Sequence, residues 1–416
     1  MEDSWEYQER RENWANREQN RKVRRVAVLI ETTRAYGRRI MDGIAAYVRE
    51  NPFWQIFVEP RALYDPLPHW LKTWDGDGII ARVGSPKDRQ ALEQLGLPVV
   101  HLKGVEKVSK GLMPDIYTDR QAVGQLAATH LIERHFRHFA FVGIPNCSWS
   151  NLELAGFQKT LEEASLSCHV FQHKKGILKN YRDGAMEDEI DMVSQWLKTL
   201  PMPIGILAAD DFLGVQLLSA CYQLGIHVPE MAAVVGVGDE ETVCRLAFPT
   251  LSSVRPNEHL IGRKAAALLD RLMEGYFERP DPEKIPPLKV VTRHSTDVQA
   301  VDDPVVRQAL AFIRENISEP IGVQDILDHV NVSRSVLQRR FQKECQKSIY
   351  ETILDTKIRF VMELLTDTDF TMRKVARIAG FKHVVHLNSI FKQKTGTTLS
   401  EYRRKIRALV QPRLSD

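Results

Sequence analysis

The sequence predicts an α/β body built as two lobes, followed by an all-α domain with two helix-turn-helix units. Three observations predict it. Between residue 26 and about 295, short apolar runs alternate with amphipathic helical patterns. Past residue 320, two helical stretches repeat one another, so that Leu337 and Phe341 are answered 50 residues later by Leu387 and Phe391. The charge is also divided. Residues 321–407 hold 17 Lys and Arg against 9 Asp and Glu, while the rest holds 40 against 45. A basic C-terminal block on a mildly acidic body points to a polyanion at one end only.

The elements follow in order along the 416 residues, a length that suits two to three domains. Residues 1–24 form a tail of mixed charges, expected to be disordered and lacking the apolar segment of a secretory signal. "VAVLI" (26–30) reads as a buried strand. "YGRRIMDGIAAYVRE" reads as a helix, with Ile40, Ile44, Tyr47 and Val48 on one face. "QIFV", "GII", "PVVH", "DIY", "HFAFVG", "IGILAA", "AAVVGV" and "KVVT" continue the strands, with helical patterns between most of them. That rhythm predicts largely parallel sheets covered by helices on both faces. Five scattered cysteines with no CxxC predict free thiols in a reducing, cytoplasmic compartment. No apolar run reaches the roughly 18 residues of a membrane span.

Sheets of this kind bind ligands beyond the carboxyl ends of their strands. The candidate ligand residues there are Glu31, Arg34 and Tyr36 after the first strand, then Arg82, Asp119 (next to Arg120), Trp149, Asp211 and Asp239. Carboxylates, guanidiniums and aromatic rings together suit a polyhydroxylated ligand: hydroxyls need donors and acceptors, and C–H faces stack on rings. A helix-capping role for Asp210 or Asp211 and a solvated loop position for Arg34 are the plain structural alternatives. No GxSxG, HExxH, Walker A or GxGxxG motif is present, so neither an enzyme nor a cofactor or metal is expected.

In the C-terminal block, Asp303-Pro304 reads as an N-cap with a first-turn proline. Each repeat then reads as a helix, a tight turn and a second helix, the first of these capped by Ser333, with a long helix around 349–365 between the units. In the first second-helix, Leu337 and Phe341 point inward and leave Arg334, Ser335, Gln338 and Arg339 outward. Arg can fork onto guanine and Gln onto adenine in the major groove. In the second, Leu387, Ile390 and Phe391 point inward and leave His383, His386, Asn388 and Ser389 outward. Lys392, Lys394, Arg403 and Arg404 suit phosphates. Base reading is expected to concentrate in the first unit, because Val384 and Val385 occupy outward positions of the second.

Stretches 116–145, 205–241 and 251–275, with "AADDFLGVQLL", "VVGVGDEE" and "LSSV" among them, resemble the ligand-binding core of LacI-type regulators, which has the periplasmic-binding-protein fold. The resemblance implies that Asp119, Asp211 and the Gly238–Asp239 pair line a pocket. Two departures stand out: Glu153 where the family often has Arg, and Gly-Val-Gly with the acid displaced to Asp239. The tail, through "VARIAGF" and "LNSIFKQKTGTTLSEYR", is similar to the DNA-binding domain of the AraC/XylS family, with Leu399 in place of the usual Pro. A LacI-like body ahead of an AraC-like tail resembles activators of pentose (xylose-type) catabolic genes. It implies a periplasmic-binding-protein-like sugar-sensing domain at 25–296 and an AraC-type DNA-binding domain at 303–410. The partners expected are an operator duplex, a pentose-like sugar, RNA polymerase and a second copy of the chain as a homodimer, with no membrane. The competing reading is a soluble sugar-binding sensor without sequence-specific DNA activity.

Overall fold

The computed structural model describes residues 23–102, 113–144, 147–171, 186–276, 281–298 and 300–410. The charged tail lies outside them up to residue 22, as does Asn146 of the "NCSWSN" loop. The chain forms two compact units. One runs to Asp297; the other takes Val298 onward with the short stretches Arg134–Phe136 and Pro229–Ala232.

The first unit is the α/β body, and it has two sheets. Lobe one holds β1 (Arg24–Leu29), β2 (Trp54–Val58), β3 (Gly78–Ala81) and β4 (Val99–His101) in the order β2-β1-β3-β4, all parallel. Strand β1 shows why it is central. Val26, Val28 and Ile30 pack into one core with Ile40 and Ile44 of α1 (Ala35–Glu50), while Ala27 and Leu29 pack into a second with Leu92 of α2 (Pro86–Glu93). Apolar residues on both faces are what a covered parallel strand requires.

Strand β5 (Ile116–Thr118) leads through Asp119 into α3 (Arg120–Ile132), where lobe two begins. Lobe two holds β6 (His138–Val142), α4 (Ser148–Glu163), β7 (Cys168–Phe171), α5 (Met186–Leu197), β8 (Ile204–Ala208), α6 (Asp211–Gln223), β9 (Ala232–Val237), α7 (Glu241–Leu246) and β10 (Ser252–Arg255). The chain then returns to lobe one with α8 (Glu258–Met273) and β11 (Glu283–Ile285), which pairs with β5, and ends the body on β12 (Lys289–Val291). The second sheet is ordered β12-β10-β9-β8-β6-β7 and is parallel except for β12. Helices α3 and α4 cross where Gly124 and Gly156 let the backbones touch; a Cβ on either would run into the carbonyl of Glu153 or Gln121.

Three strands escaped the sequence reading. β7 is a half-exposed edge, so it lacks a continuous apolar run. β10 begins with two serines, which read as loop, yet Ser252 and Ser253 are fully buried because their hydroxyls are hydrogen-bonded to the Arg293 carbonyl and to Asp211. β11 has three residues, too few for a pattern.

The second unit is all helical: α9 (Pro304–Glu315), α10 (Val323–Val330), α11 (Arg334–Cys345), α12 (Ile349–Asp367), α13 (Met372–Ile378), α14 (Val384–Thr395) and α15 (Leu399–Val410). Asp303 caps α9 by accepting from Val305 N and Val306 N, with Pro304 in the first turn. Two cores form. Ile313, Ile326, Leu337, Phe341, Ile349 and Ile353 belong to the first; Ile358, Val361, Val375, Leu387, Phe391 and Leu399 to the second. Helix α12 therefore contributes to both. Ser333 holds the N-cap position of α11 but its hydroxyl makes no capping bond; it pairs with Ser335 Oγ at 3.3 Å instead, a correction to its expected role. No helix among the described residues is long and apolar enough to cross a membrane.

Candidate effector site and nucleic-acid interface

The cleft residues come from loops that leave the strands and from the first turns of the helices that follow. Glu31, after β1, is 2% exposed and ion-paired with Arg82, after β3. The Arg82 guanidinium lies 4.6 Å from the Tyr36 ring, and the Tyr36 hydroxyl is 2.9 Å from Thr118 Oγ1. These groups belong to lobe one. Arg120, the first residue of α3, meets them from lobe two: its guanidinium is 5.6 Å from the Tyr36 ring and 5.5 Å from the Trp149 ring. Arg120 Nη1 donates to Glu153 Oε1 at 2.9 Å, and Glu153 is completely buried. Glu31 Oε2, Glu153 Oε2 and Arg82 Nε are all buried without a hydrogen-bond partner among the described residues. Buried polar atoms of this kind are costly unless something pairs with them.

Burial pushes the Glu153 carboxyl up to about 8, against the pull of Arg120 and with a further push from Asp210 and Asp211. A neutral Glu153 still accepts from Arg120 and gains an O–H to donate. A ligand hydroxyl, both donor and acceptor, suits either form. A carboxyl raised in the folded state contributes stability that is present below its ordinary 4.5 and lost as the pH rises through about 8. Glu153→Gln is therefore expected to flatten the fall in melting temperature between pH 5 and pH 9; an unchanged pH profile would remove the raised carboxyl from the account.

A second network also joins the two lobes. Glu240 Oε2 accepts from Ala35 N at 2.7 Å, and Glu240 Oε1 from Arg38 Nη2 at 2.9 Å. Helix α1 has no side-chain cap of its own at Arg34, so a carboxylate from lobe two caps a helix of lobe one. Arg39 adds a bond to Gly238 O at 2.9 Å and a contact with Glu258 at 3.3 Å.

Of the eight expected ligand residues, Tyr36 and Trp149 flank Arg120, and Arg82 with Glu31 joins them through the Tyr36 ring. The other four have different employment. Asp211, 1% exposed, accepts from Ser253 Oγ at 2.5 Å and from Glu240 N at 2.6 Å, so both oxygens serve lobe two. Asp239 is completely buried in ion pairs with Arg255 and Arg293. Asp119 caps α3 by accepting from Ala122 N at 3.1 Å. Arg34 lies 3.7 Å from Asp210 and 4.3 Å from the Phe212 ring, while Asp210 caps α6 through Leu213 N. The pocket roles expected of Asp211, Asp239 and Asp119 would have to be shared with these bonds, in which Asp119 Oδ1 caps α3 and both oxygens of Asp211 and of Asp239 are engaged within lobe two. Arg120 stands beside Asp119 among the strand-end residues, and Glu153, noted as a departure from the family pattern, is the partner that holds its guanidinium.

In the helical unit, Arg334, Ser335 and Arg339 are exposed along α11 and Gln338 is half-buried. A shallow groove is lined by Ser335, Gln338, Arg339, Gln342 and Lys343. At the N-cap of α14 and along it, His383, His386, Ser389 and Lys392 are exposed, and Val385 is 81% exposed. Asn388 is half-buried, and its Oδ1 accepts from Leu399 N at 3.1 Å. The usual proline at 399 would have no N–H to give, so this bond goes with the departure noted in the sequence. Two expected phosphate contacts are also engaged, Lys394 with Asp355 at 2.7 Å and Arg403 with the Phe370 carbonyl at 2.6 Å.

Family models match three segments: XylR N-terminal domain over residues 25–118, periplasmic binding protein-like domain over 128–296, and helix-turn-helix domain over 326–405. A xylose operon regulatory protein of Haemophilus influenzae is 32% identical over 385 residues, covering 91% of this chain and 98% of its own. The protein of that name from Escherichia coli is 31% identical over 390 residues, covering 92% and 97%. A solved structure described as the xylose-binding transcription activator xylR superposes with a TM-score of 0.79 at 30% identity, over 93% of this chain and 99% of that one. A cellobiose complex of the regulator CelR, at 22% identity and a TM-score of 0.52, shares the fold of the body. With two lobes and two helix-turn-helix units matched in one continuous alignment, the chain belongs to the family of xylose operon regulatory proteins, sugar-responsive DNA-binding transcription regulators.

Proposed function

We propose that this protein senses a pentose-like sugar of the xylose type between its lobes. As a cytoplasmic homodimer it then binds an operator duplex and engages RNA polymerase to activate pentose catabolic genes. The observation that carries the effector is the pair of buried carboxyl oxygens without a partner among the described residues, Glu31 Oε2 and Glu153 Oε2, one from each lobe, together with the Tyr36 and Trp149 rings that flank Arg120. A small polyol bridges such a pair with its hydroxyls and lays C–H faces on the rings. The names of the relatives and of the solved neighbour support xylose as the first sugar to test. No reaction is assigned to the chain.

A thermal-shift panel of neutral monosaccharides is the test. A specific sugar at a hundredfold excess over its Kd stabilises by about 2.7 kcal/mol, and an aldopentose is expected to head the panel. A cooperative melt that no monosaccharide moves would overturn the effector reading. Sedimentation showing a monomer at micromolar concentration, with and without DNA, would overturn the homodimer.

A further inference from the structure

Helix α12 contributes residues to both helical cores, and it carries two charged side chains at the junction between them. Lys357, 4% exposed, donates from Nζ to three backbone carbonyls: Ile317 at 3.0 Å, Glu319 at 2.6 Å and Ala379 at 2.9 Å. The first two lie in the loop between α9 and α10, in the first helix-turn-helix half; the third ends α13, in the second half. Gly380, at φ +69°, lets the two loops meet, since a Cβ there would strike the Glu319 carbonyl. Two residues earlier on α12, Asp355 holds one lysine from each half. Its Oδ2 is 2.7 Å from Lys347 Nζ, just past the end of α11, and its Oδ1 is 2.7 Å from Lys394 Nζ, in the last turn of α14.

We propose that Lys357 and Asp355 are positioning residues that set the separation and rotation of the two recognition helices, so that one subunit reads a fixed spacing of two major-groove segments. The inference rests on α11 and α14 being the DNA-reading helices. A helix that merely joined two cores would need only its apolar stripe. These two residues instead grip non-apolar points on each side of the joint: carbonyls of two loops at one, and side chains adjoining the two reading helices at the other. Their environments fit the role. Burial pushes Lys357 down to about 8, the cost of an ammonium held for its three bonds. Burial would raise Asp355, yet the bonds from Lys347 and Lys394 hold it below the usual carboxylate range. The Asp355 pairs are also partly exposed, so salt weakens this clamp and spares the buried one.

The test uses the full-length protein and a duplex that the wild type selects from a random pool, together with copies lengthened or shortened by one base pair between the two contacted segments. Wild type is expected to lose about tenfold or more in affinity on the altered spacings, because one base pair turns a segment by a tenth of a helical repeat. Asp355→Asn is expected to lose about threefold on the selected duplex, as two partly exposed pairs allow, and to narrow the gap between spacings. Lys357→Met, which leaves three carbonyls without their donor, is expected to narrow it further, and Lys357→Arg to restore part of it. Stability lost without a change in spacing preference in either variant would make both residues structural only and overturn the proposal. A wild type that selects no sequence at all would sink the DNA-reading assignment itself, a result separate from the clamp.

Discussion

Arg120→Ala is expected to abolish effector binding and to destabilise the body, by about 1–2 kcal/mol more at pH 9 than at pH 6, since removing one partner of a buried pair leaves the other to be neutralised. The mechanism sets its pH dependence. Glu153 already sits at about 8 with Arg120 in place; without the guanidinium it titrates higher still, and below that point it takes up a proton instead of staying charged. The deficit in melting temperature is therefore larger at pH 9 than at pH 6. Adding Glu153→Gln removes the stranded charge, so the double variant regains stability at pH 9 but not sugar binding, because the contacts of Arg120 with Tyr36 and Trp149 are gone. Calorimetry at the two pH values with a sugar titration reads both effects. Wild-type sugar affinity in Arg120→Ala would show that the ligand does not bind where the lobes meet around this residue.

Arg339→Ala is expected to cost about 1–3 kcal/mol on the operator and to relax preference at one base pair, the loss of a fork onto guanine. Arg339 is exposed in the groove of α11 beside Ser335 and Gln338, on the side opposite the buried Leu337 and Phe341. Lys392→Ala is the contrast: it is expected to weaken all sequences alike and to lower the salt slope by about one. Salt titrations on operator and scrambled duplexes separate the two. Equal losses on both duplexes for Arg339→Ala would make it a phosphate contact and undo the assignment of base reading to the first unit.

The legibility of these sites differs for a physical reason. On a helix, face follows from spacing, so burial of Leu337, Phe341, Leu387 and Phe391 told which residues remain outside. Asn388, Lys394 and Arg403 also have partners that spacing does not show, because Leu399, Asp355 and the Phe370 carbonyl reach them from elsewhere in the unit. In the cleft no such period exists. Asp211, Asp239 and Arg120 all stand at strand or helix ends with equal claims, and each role depends on which partner folding brings near.

Local pattern by itself thus determined the βαβ order of the body, the duplicated helical tail, the division of charge and the aromatic and acidic character of the strand ends. Apolar periodicity and chain-neighbour spacing are properties of the sequence before it folds. The tertiary structure decided the rest. It placed Glu153, 33 residues from Arg120, against that guanidinium, and brought Glu240, more than 200 residues away, to cap α1. It spent Asp211 and Asp239 inside lobe two, and it set Lys357 between two loops. Whether a carboxylate or an ammonium is free for a ligand depends on desolvation and on partners far away in the chain, and those exist only once the chain has closed.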